Sequence, residues 1–247
     1  MEKRKMLFPL SNVKWIRSLF SQLYLREEFV TDKTGSKVVE LVNASFIADE
    51  DSIFGSPSSE WHNRELEWYL SQSLSVYDIP EPIPKIWKSV ADKDGFINSN
   101  YGWCIFSEEN GYQFDNVVKT LKSKPDSRQA IMIYNRPTMH SEWNHNGRSD
   151  FMCCQNTHHF IRDNQLISFV NFRSSDAIFG YKGDKFWMDY VANKLHQELL
   201  VTYPDLQLGP LVWNAGSIHI YERHFHLIEK NLPSNEIRNN NHLDVSP

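Results

Sequence analysis

A thiol, an arginine followed by two hydroxyls and a carboxylate, and scattered histidines are the side chains that could do chemistry in this 247-residue chain. Cys153 stands in Asp150-Phe-Met-Cys-Cys-Gln-Asn156, just ahead of a strand pair. A thiol at the start of a buried strand can be fixed in position, and a nearby arginine favours its thiolate. Taken alone, a buried cysteine more often packs as a small hydrophobe. Arg173-Ser-Ser-Asp176 then leads through Phe179-Gly180 to Asp184. An arginine followed by hydroxyls at a strand end can hold a phosphate by charge-assisted bonds. The plain alternative is a solvated loop with a structural Arg–Asp pair. Pro125-Asp-Ser-Arg128 offers a second phosphate arginine, or simply a turn. His158 and His159 are adjacent on a presumed strand and so face opposite ways, while His219, His224 and His226 lack a ligand spacing. No metal is expected. No glycine-rich dinucleotide or phosphate-cradling loop is present. The 8 Trp, 10 Tyr and 15 Phe could stack a base or a pterin, though most such rings form core.

The elements that must position these residues follow from periodicity. Ser11–Leu25 has helical spacing at Ile16, Leu19, Phe20 and Leu23, with Ser11 as its cap. Val38–Phe46 is rich in β-branched residues and reads as a strand, and Glu60–Ser71 as a helix. The proline-rich run from Ile79 to Pro84 removes backbone donors and reads as a surface loop inside one domain. Gln113–Leu121 suggests a short helix and Ala130–Tyr134 a buried strand. Cys154–Ile161 and Leu166–Phe172 flank Arg162-Asp-Asn-Gln165, which suits a hairpin; the second strand is apolar on both sides, as inside a sheet covered on both faces. Asp184 opens and caps a helix with Trp187, Val191, Leu195 and Leu199 on one stripe. Ser217–Tyr221 is a short strand, followed by a helix over Glu222–Lys230. The mixture predicts one α/β (α+β) domain over residues 1–247, on a large mixed sheet with flanking helices.

Composition narrows the class. Hydrophobic residues at 40% and charged residues at 23% describe a globular chain with a sizeable core. A net charge of −5 without a segregated basic face argues against nucleic acid as a partner. No apolar run approaches the roughly 18–20 residues that cross a bilayer, and Met1–Pro9 is too short and broken for a signal peptide. Three cysteines, two of them adjacent, do not make a disulfide framework, so a reducing cytoplasm is the expected compartment.

Eight segments, in one order, carry a resemblance. They are Asp32-Lys-Thr-Gly35, Arg64-Glu-Leu-Glu-Trp-Tyr69, Asn98-Ser-Asn-Tyr-Gly-Trp103, Pro125-Asp-Ser-Arg128, Ser149-Asp-Phe-Met-Cys153, Arg173-Ser-Ser-Asp176, Phe179-Gly180 and Gly216-Ser-Ile-His-Ile-Tyr-Glu-Arg-His-Phe225. From about Phe29 to Leu227 the chain resembles the thymidylate synthase superfamily, most of all its phage branch of deoxycytidylate (dCMP) hydroxymethylases.

The resemblance implies roles. Cys153 matches the nucleophile that adds to C6 of the pyrimidine; Glu65 matches the glutamate that organises water and proton transfers. Arg173 and Ser174 match the phosphate clamp, Lys33 stands at a phosphate-arginine position, and Arg128 matches an arginine reaching the partner's site in a homodimer. His219 and Tyr221 match the pair that holds the sugar 3′-hydroxyl. Asp176 matches a carboxylate near the folate pterin, and Trp87 and Tyr101 line the cofactor and ring pocket. The implied co-substrate is 5,10-methylenetetrahydrofolate. Asp184 replaces the synthases' asparagine, and a carboxyl suits the amino group and N3 of cytosine, which favours dCMP. Gln129 replaces a second arginine, Cys154 replaces a histidine, and the tail ending at Pro247 is unlike the synthases' closing tail. No motif separates water from hydride as the final acceptor, or deoxyribose from ribose. A methylase, an enzyme of dUMP or CMP, and a non-catalytic nucleotide binder are the alternatives.

Overall fold

The computed structural model describes residues 11–32 and 35–232; Lys33, the N-terminal Met1–Pro9 segment and the C-terminal tail lie outside them. Among the described residues seven strands form one mixed sheet: β1 (Ser11–Asn12), β2 (Val30–Thr31), β3 (Lys37–Ile47), β4 (Ile131–Ile133), β5 (Cys154–Arg162), β6 (Gln165–Asp176) and β7 (Gln207–Tyr221). Their order is β1-β3-β7-β6-β5-β4, with β2 paired to β3. The helices are α1 (Val13–Leu25), α2 (Ser59–Ser71), α3 (Lys85–Val90), α4 (Tyr101–Phe106), α5 (Gln113–Ser123), α6 (Met139–Glu142), α7 (Gly180–Leu200) and α8 (Phe225–Glu229).

The hairpin forms as expected. Asp163 and Asn164 take positive φ angles of 47° and 60°, the pair of left-handed residues that a tight two-residue turn requires, and Arg162 pairs with Gln165. Strand β6 then runs parallel to β7 and antiparallel to β5, which makes it central.

Several boundaries move for identifiable reasons. Asn12, not Ser11, caps α1 by accepting the Trp15 N–H at 3.1 Å, because the helix begins at Val13 and Asn12 is the residue immediately before it. The segment around Ala130–Tyr134 is an edge strand, not a buried one: Met132 is buried while Ile131 and Ile133 are exposed, since only β5 lies beside it. Strand β7 extends well upstream of Ser217, where Gly209, Pro210 and Gly216 mask a strand pattern. The run after Tyr221 breaks into a 3-10 turn at Glu222–His224 and the short α8. Helix α7 starts four residues before Asp184, which therefore sits in its second turn and caps nothing. No side chain caps α7, whose N-cap residue is Phe179; Asp176 Oδ1 instead accepts the N–H groups of Ile178 and Phe179, in the turn leading into the helix, at 2.7 and 3.0 Å.

The two sheet faces differ. The cross-strand row Met132, Thr157, Val170, Trp213 and Phe46 is fully buried, with Tyr181 of α7 packed on Trp213 and Phe46. On the reverse face, Ile133, Asn156, Asn171, Asn214 and Ser45 form the neighbouring row, half-buried or exposed. Three hydrogen bonds lace it: Asn171 donates to Asn156 at 2.8 Å, Asn214 to Asn171 at 3.1 Å, and Ser45 to Asn214 at 2.7 Å. The expectation that β6 is covered on both sides thus holds for one face only within this chain: Phe169 and Asn171 stay half-buried.

Candidate active site

Cys153 ends the loop that enters β5. Asp150, three residues earlier, is buried and anchors this loop by accepting the backbone N–H of Asn98 (2.6 Å), that of Ser99 (2.9 Å) and the Ser99 hydroxyl (2.5 Å). Arg173 of β6 grips the same loop. Its Nε donates to the Met152 carbonyl at 3.0 Å and its Nη2 to the Phe151 carbonyl at 2.7 Å, with Cys153 Sγ 3.6 Å from that nitrogen. The arginine is therefore beside the sulfur, yet the thiolate is not favoured in this state. Burial pushes the thiol up to about 11, outweighing Arg173, while the Asp184 and Asp150 carboxylates push the same way. Adjacent Cys154 is fully buried in the core, opposite Phe172.

Two buried, mutually interacting carboxyls stand on the helices, and the charge of one of them, Asp184, reaches the sulfur. Glu65 lies on α2, where its Oε1 accepts the Trp87 indole N–H at 3.0 Å and a Tyr69 hydrogen bond comes from the next turn. Burial lifts Glu65 to about 7, against the pull of those two donors. Asp184 of α7 accepts from the Tyr101 hydroxyl, and burial together with the Glu65 charge pushes it well above the ordinary carboxylate range. Glycines make room for this. A side-chain carbon at Gly183 would stand 3.0 Å from Glu65 Oε2, and one at Gly102 would overlap the Tyr69 carbonyl at 1.8 Å. Gly102 is what allows α4 to lie against α2, so that the Tyr69 and Tyr101 rings stack at 5.3 Å.

The C-terminal ends of β6 and β7 supply the third wall. Ser174 pairs in register with Ser217, and Asp176 with His219. The His219 and Tyr221 rings meet edge to face at 5.0 Å. Ser217 donates to Glu40 of β3 and lies 3.4 Å from His219 Nδ1. Burial lowers the His219 pKa despite the Asp176 and Glu40 carboxylates, which leaves a neutral imidazole at pH 7.

Of the residues singled out from sequence, Cys153, Glu65, Asp184, Tyr101, Trp87, Arg173, Ser174, Asp176, His219 and Tyr221 line one cleft. Arg128 is exposed elsewhere: its carbonyl bonds His158, five residues along from Cys153, roughly 17 Å at strand rise. Sequence reasoning missed Asp150 and the bond from Tyr69 to Glu65. The second was accessible, because Tyr69 follows Glu65 by four residues and so shares its helix face. The first was not, since nothing local announces a contact with Ser99. Among the described residues no cluster of three or more His, Cys, Asp or Glu could hold a metal ion, and no helix is long and apolar enough to cross a membrane.

With the cleft in view, known proteins can be set beside it. The family model described as thymidylate synthase matches residues 57–246. Deoxycytidylate 5-hydroxymethyltransferase of Enterobacteria phage T6 is 46% identical over 226 residues, covering 91% of this chain and 92% of that protein. The protein of that name from phage T4 is 45% identical over the same shares. Thymidylate synthase of Francisella philomiragia is 28% identical over 178 residues, 68% of this chain and 63% of that one. Among solved structures, thermostable thymidylate synthase A from Bacillus subtilis superposes with a TM-score of 0.64 at 18% identity, over 89% of this chain and 83% of that one. That last similarity is one of fold. Identity near one half across nine-tenths of the sequence goes further, and the chain belongs to the thymidylate synthase family.

Proposed function

We propose that this protein transfers a hydroxymethyl group to C5 of dCMP, with 5,10-methylenetetrahydrofolate as the one-carbon donor. The observation that carries the reading is Asp184: a carboxyl that burial pushes toward its neutral form, hydrogen-bonded to Tyr101, whose charge reaches the Cys153 thiol. A carboxylic acid can accept from the cytosine amino group and donate to N3. When Cys153, having released its proton to solvent, bonds to C6 as the thiolate, electron density moves toward N3, and the Asp184 proton can follow it. The resulting carboxylate then accepts from both N–H groups. Uracil has no basic N3 to take that proton, so the interaction is stronger in the transition state for cytosine.

Addition at C6 makes C5 a nucleophile, which it is not in the free base. Arg173 and Ser174 hold the phosphate, and neutral His219 with Tyr221 holds the sugar hydroxyl, so that C6 sits over the sulfur. The folate supplies the one-carbon unit at the oxidation level of formaldehyde. Glu65, titrating near 7, can both give and take protons at neutral pH and can hold the water that completes the hydroxymethyl group. The residues present fit a flat folate ring: the Trp87 indole borders Glu65, and the Phe179 ring is 65% exposed three residues from Asp176. Asp176 and Trp87 are the residues that would hold that ring.

The protein works as a homodimer in this reading, in the cytoplasm, as one domain. The half-exposed face carrying Ile133, Phe169 and the asparagine row is the surface a second copy would cover, and Arg128, remote from its own Cys153, is then free to reach the partner's phosphate. Lys33 is a second phosphate ligand. The test is folate-dependent release of the C5 hydrogen from dCMP beside dUMP and CMP, with product mass. A 5-hydroxymethyl product from dCMP without dihydrofolate is expected. A methyl product with dihydrofolate would move the protein to the methylase reading.

A further inference from the structure

Asp150 is a buried carboxyl to which the reaction above gives no task, and it makes no ion pair among the described residues. Its acceptor bonds all go to one short segment: Oδ2 takes the backbone N–H groups of Asn98 and Ser99, and Oδ1 takes the Ser99 hydroxyl. Asn98 returns the contact, its amide donating to the Asp150 carbonyl at 2.9 Å. Arg148 reaches this joint only through Asn98, whose side-chain oxygen accepts from it, and pairs with Asp92 instead. The same segment leads directly into α4. Asn100 caps that helix by accepting the Trp103 N–H at 2.8 Å, and is itself fixed by donating to the carbonyls of Trp68 and Ser73. Tyr101 follows as the first residue of α4, with its hydroxyl on Asp184. In the other direction, Cys153 is three residues from Asp150. A residue spans at most about 3.6 Å, so the Cys153 backbone is within roughly 11 Å of Asp150, and that of Tyr101 within roughly 7 Å of Ser99. Asn98, Ser99 and Asn100 are all buried, so the joint is closed to water. Apolar packing alone could anchor a loop. A buried carboxyl with three donors is costlier, and what it adds is a single allowed arrangement.

We propose that Asp150 is a positioning residue that sets the spacing between Cys153 and Tyr101, and through Tyr101 the placement of the Asp184 carboxyl. The thiol and the base-reading carboxyl then meet the same cytosine ring. This rests on the dCMP reading above. Asp150 acts only through the two segments it joins. An asparagine can keep the joint, because its amide oxygen accepts the two N–H groups and its NH2 donates to the Ser99 hydroxyl, which can turn to accept. An alanine keeps none of the three bonds.

The test is steady-state kinetics of the whole protein on dCMP and on dUMP. Asp150→Ala should lower kcat/KM for dCMP by about a hundredfold and the dCMP-over-dUMP ratio by about fivefold or more. Asp150→Asn should keep both within about threefold of wild type. A mere loss of folded protein lowers the two rates together and leaves the ratio unmoved. In an Asp184→Asn background Asp150→Ala should not lower the ratio further, because the two substitutions cut the same path. Ser99→Ala deletes one of the three bonds and stands in should Asp150→Ala not fold, with a fall in the ratio of about threefold. An unchanged ratio in Asp150→Ala, or in its stand-in, overturns the assignment and leaves the dCMP reading intact. So does a full further fall in the Asp184→Asn background, or an Asp150→Asn protein as deficient as Asp150→Ala. A wild type that shows no preference for dCMP overturns both.

Discussion

The Tyr101 hydroxyl and the Asp184 carboxyl are hydrogen-bonded across the cleft, one from α4 and the other from α7. The bond opposes the burial that pushes Asp184 toward its neutral form, and the charge of the carboxyl reaches the Cys153 thiol. Asp184→Asn exchanges a group that can surrender a proton to N3 for one that cannot. The ratio of kcat/KM for dCMP over dUMP should fall by about tenfold or more, since a mismatched base-edge contact is worth roughly 1–3 kcal/mol. An unchanged ratio in steady-state assays would show that Asp184 does not read the base.

The two adjacent cysteines should separate cleanly. Cys153→Ser is expected to lower turnover by at least about 10³-fold while calorimetric binding of dCMP survives, because only the bond to C6 is lost. Cys154→Ser should stay active but melt earlier, by about 1–2 kcal/mol of stability, since it puts a hydroxyl into fully buried core. Inactive Cys154→Ser beside active Cys153→Ser would overturn the assignment.

Reactivity of the thiol has a definite pH dependence. In the nucleotide-free protein the Cys153 pKa of about 11 keeps the sulfur protonated at neutral pH. Its alkylation by iodoacetamide, followed by mass spectrometry of the Cys153 peptide, should climb steadily from pH 7 past pH 10. Arg173→Gln removes the group that lowers this pKa, so alkylation at any given pH should slow further. A plateau near pH 8 would contradict the burial argument.

Glu65 links stability to pH in the less common direction. Its folded pKa of about 7 exceeds the ordinary 4.5, so the folded chain binds the proton more tightly than the unfolded one. Stability therefore declines as pH rises from about 4.5 to about 7 and does not recover above it. Glu65→Gln removes this penalty. The variant should gain on the order of 1–3 kcal/mol over wild type at pH 8 and nothing at pH 4, measured by urea denaturation, while losing activity.

Arg128 provides the test of the dimer. Arg128→Ala and Cys153→Ser, each weak alone, should restore activity when unfolded and refolded together, because a mixed dimer joins an intact Cys153 to an intact Arg128. Half of the dimers would be mixed, each with one working site, for about a quarter of wild-type activity at dCMP saturation of that site. No gain on mixing would mean that Arg128 serves its own subunit or none.

The local features of this protein were legible in its sequence because they depend on neighbours a few residues apart. The Asp163-Asn164 turn, the helical stripe from Trp187 to Leu199, and the order of thiol, Arg173-Ser174 and Asp184 are all short-range patterns. What tertiary structure decided is everything that depends on long-range approach. Only the pairing of β6 with β7 sets Asp176 beside His219, and only the missing side chain of Gly102 brings Tyr101 against Tyr69. Asp184 illustrates the difference most plainly. By its position in the sequence it could cap a helix, but the helix begins at Gly180, and burial beside Glu65 pushes the carboxyl toward its protonated form. Desolvation does that, and desolvation is a property of the assembled cleft, not of any segment of the chain.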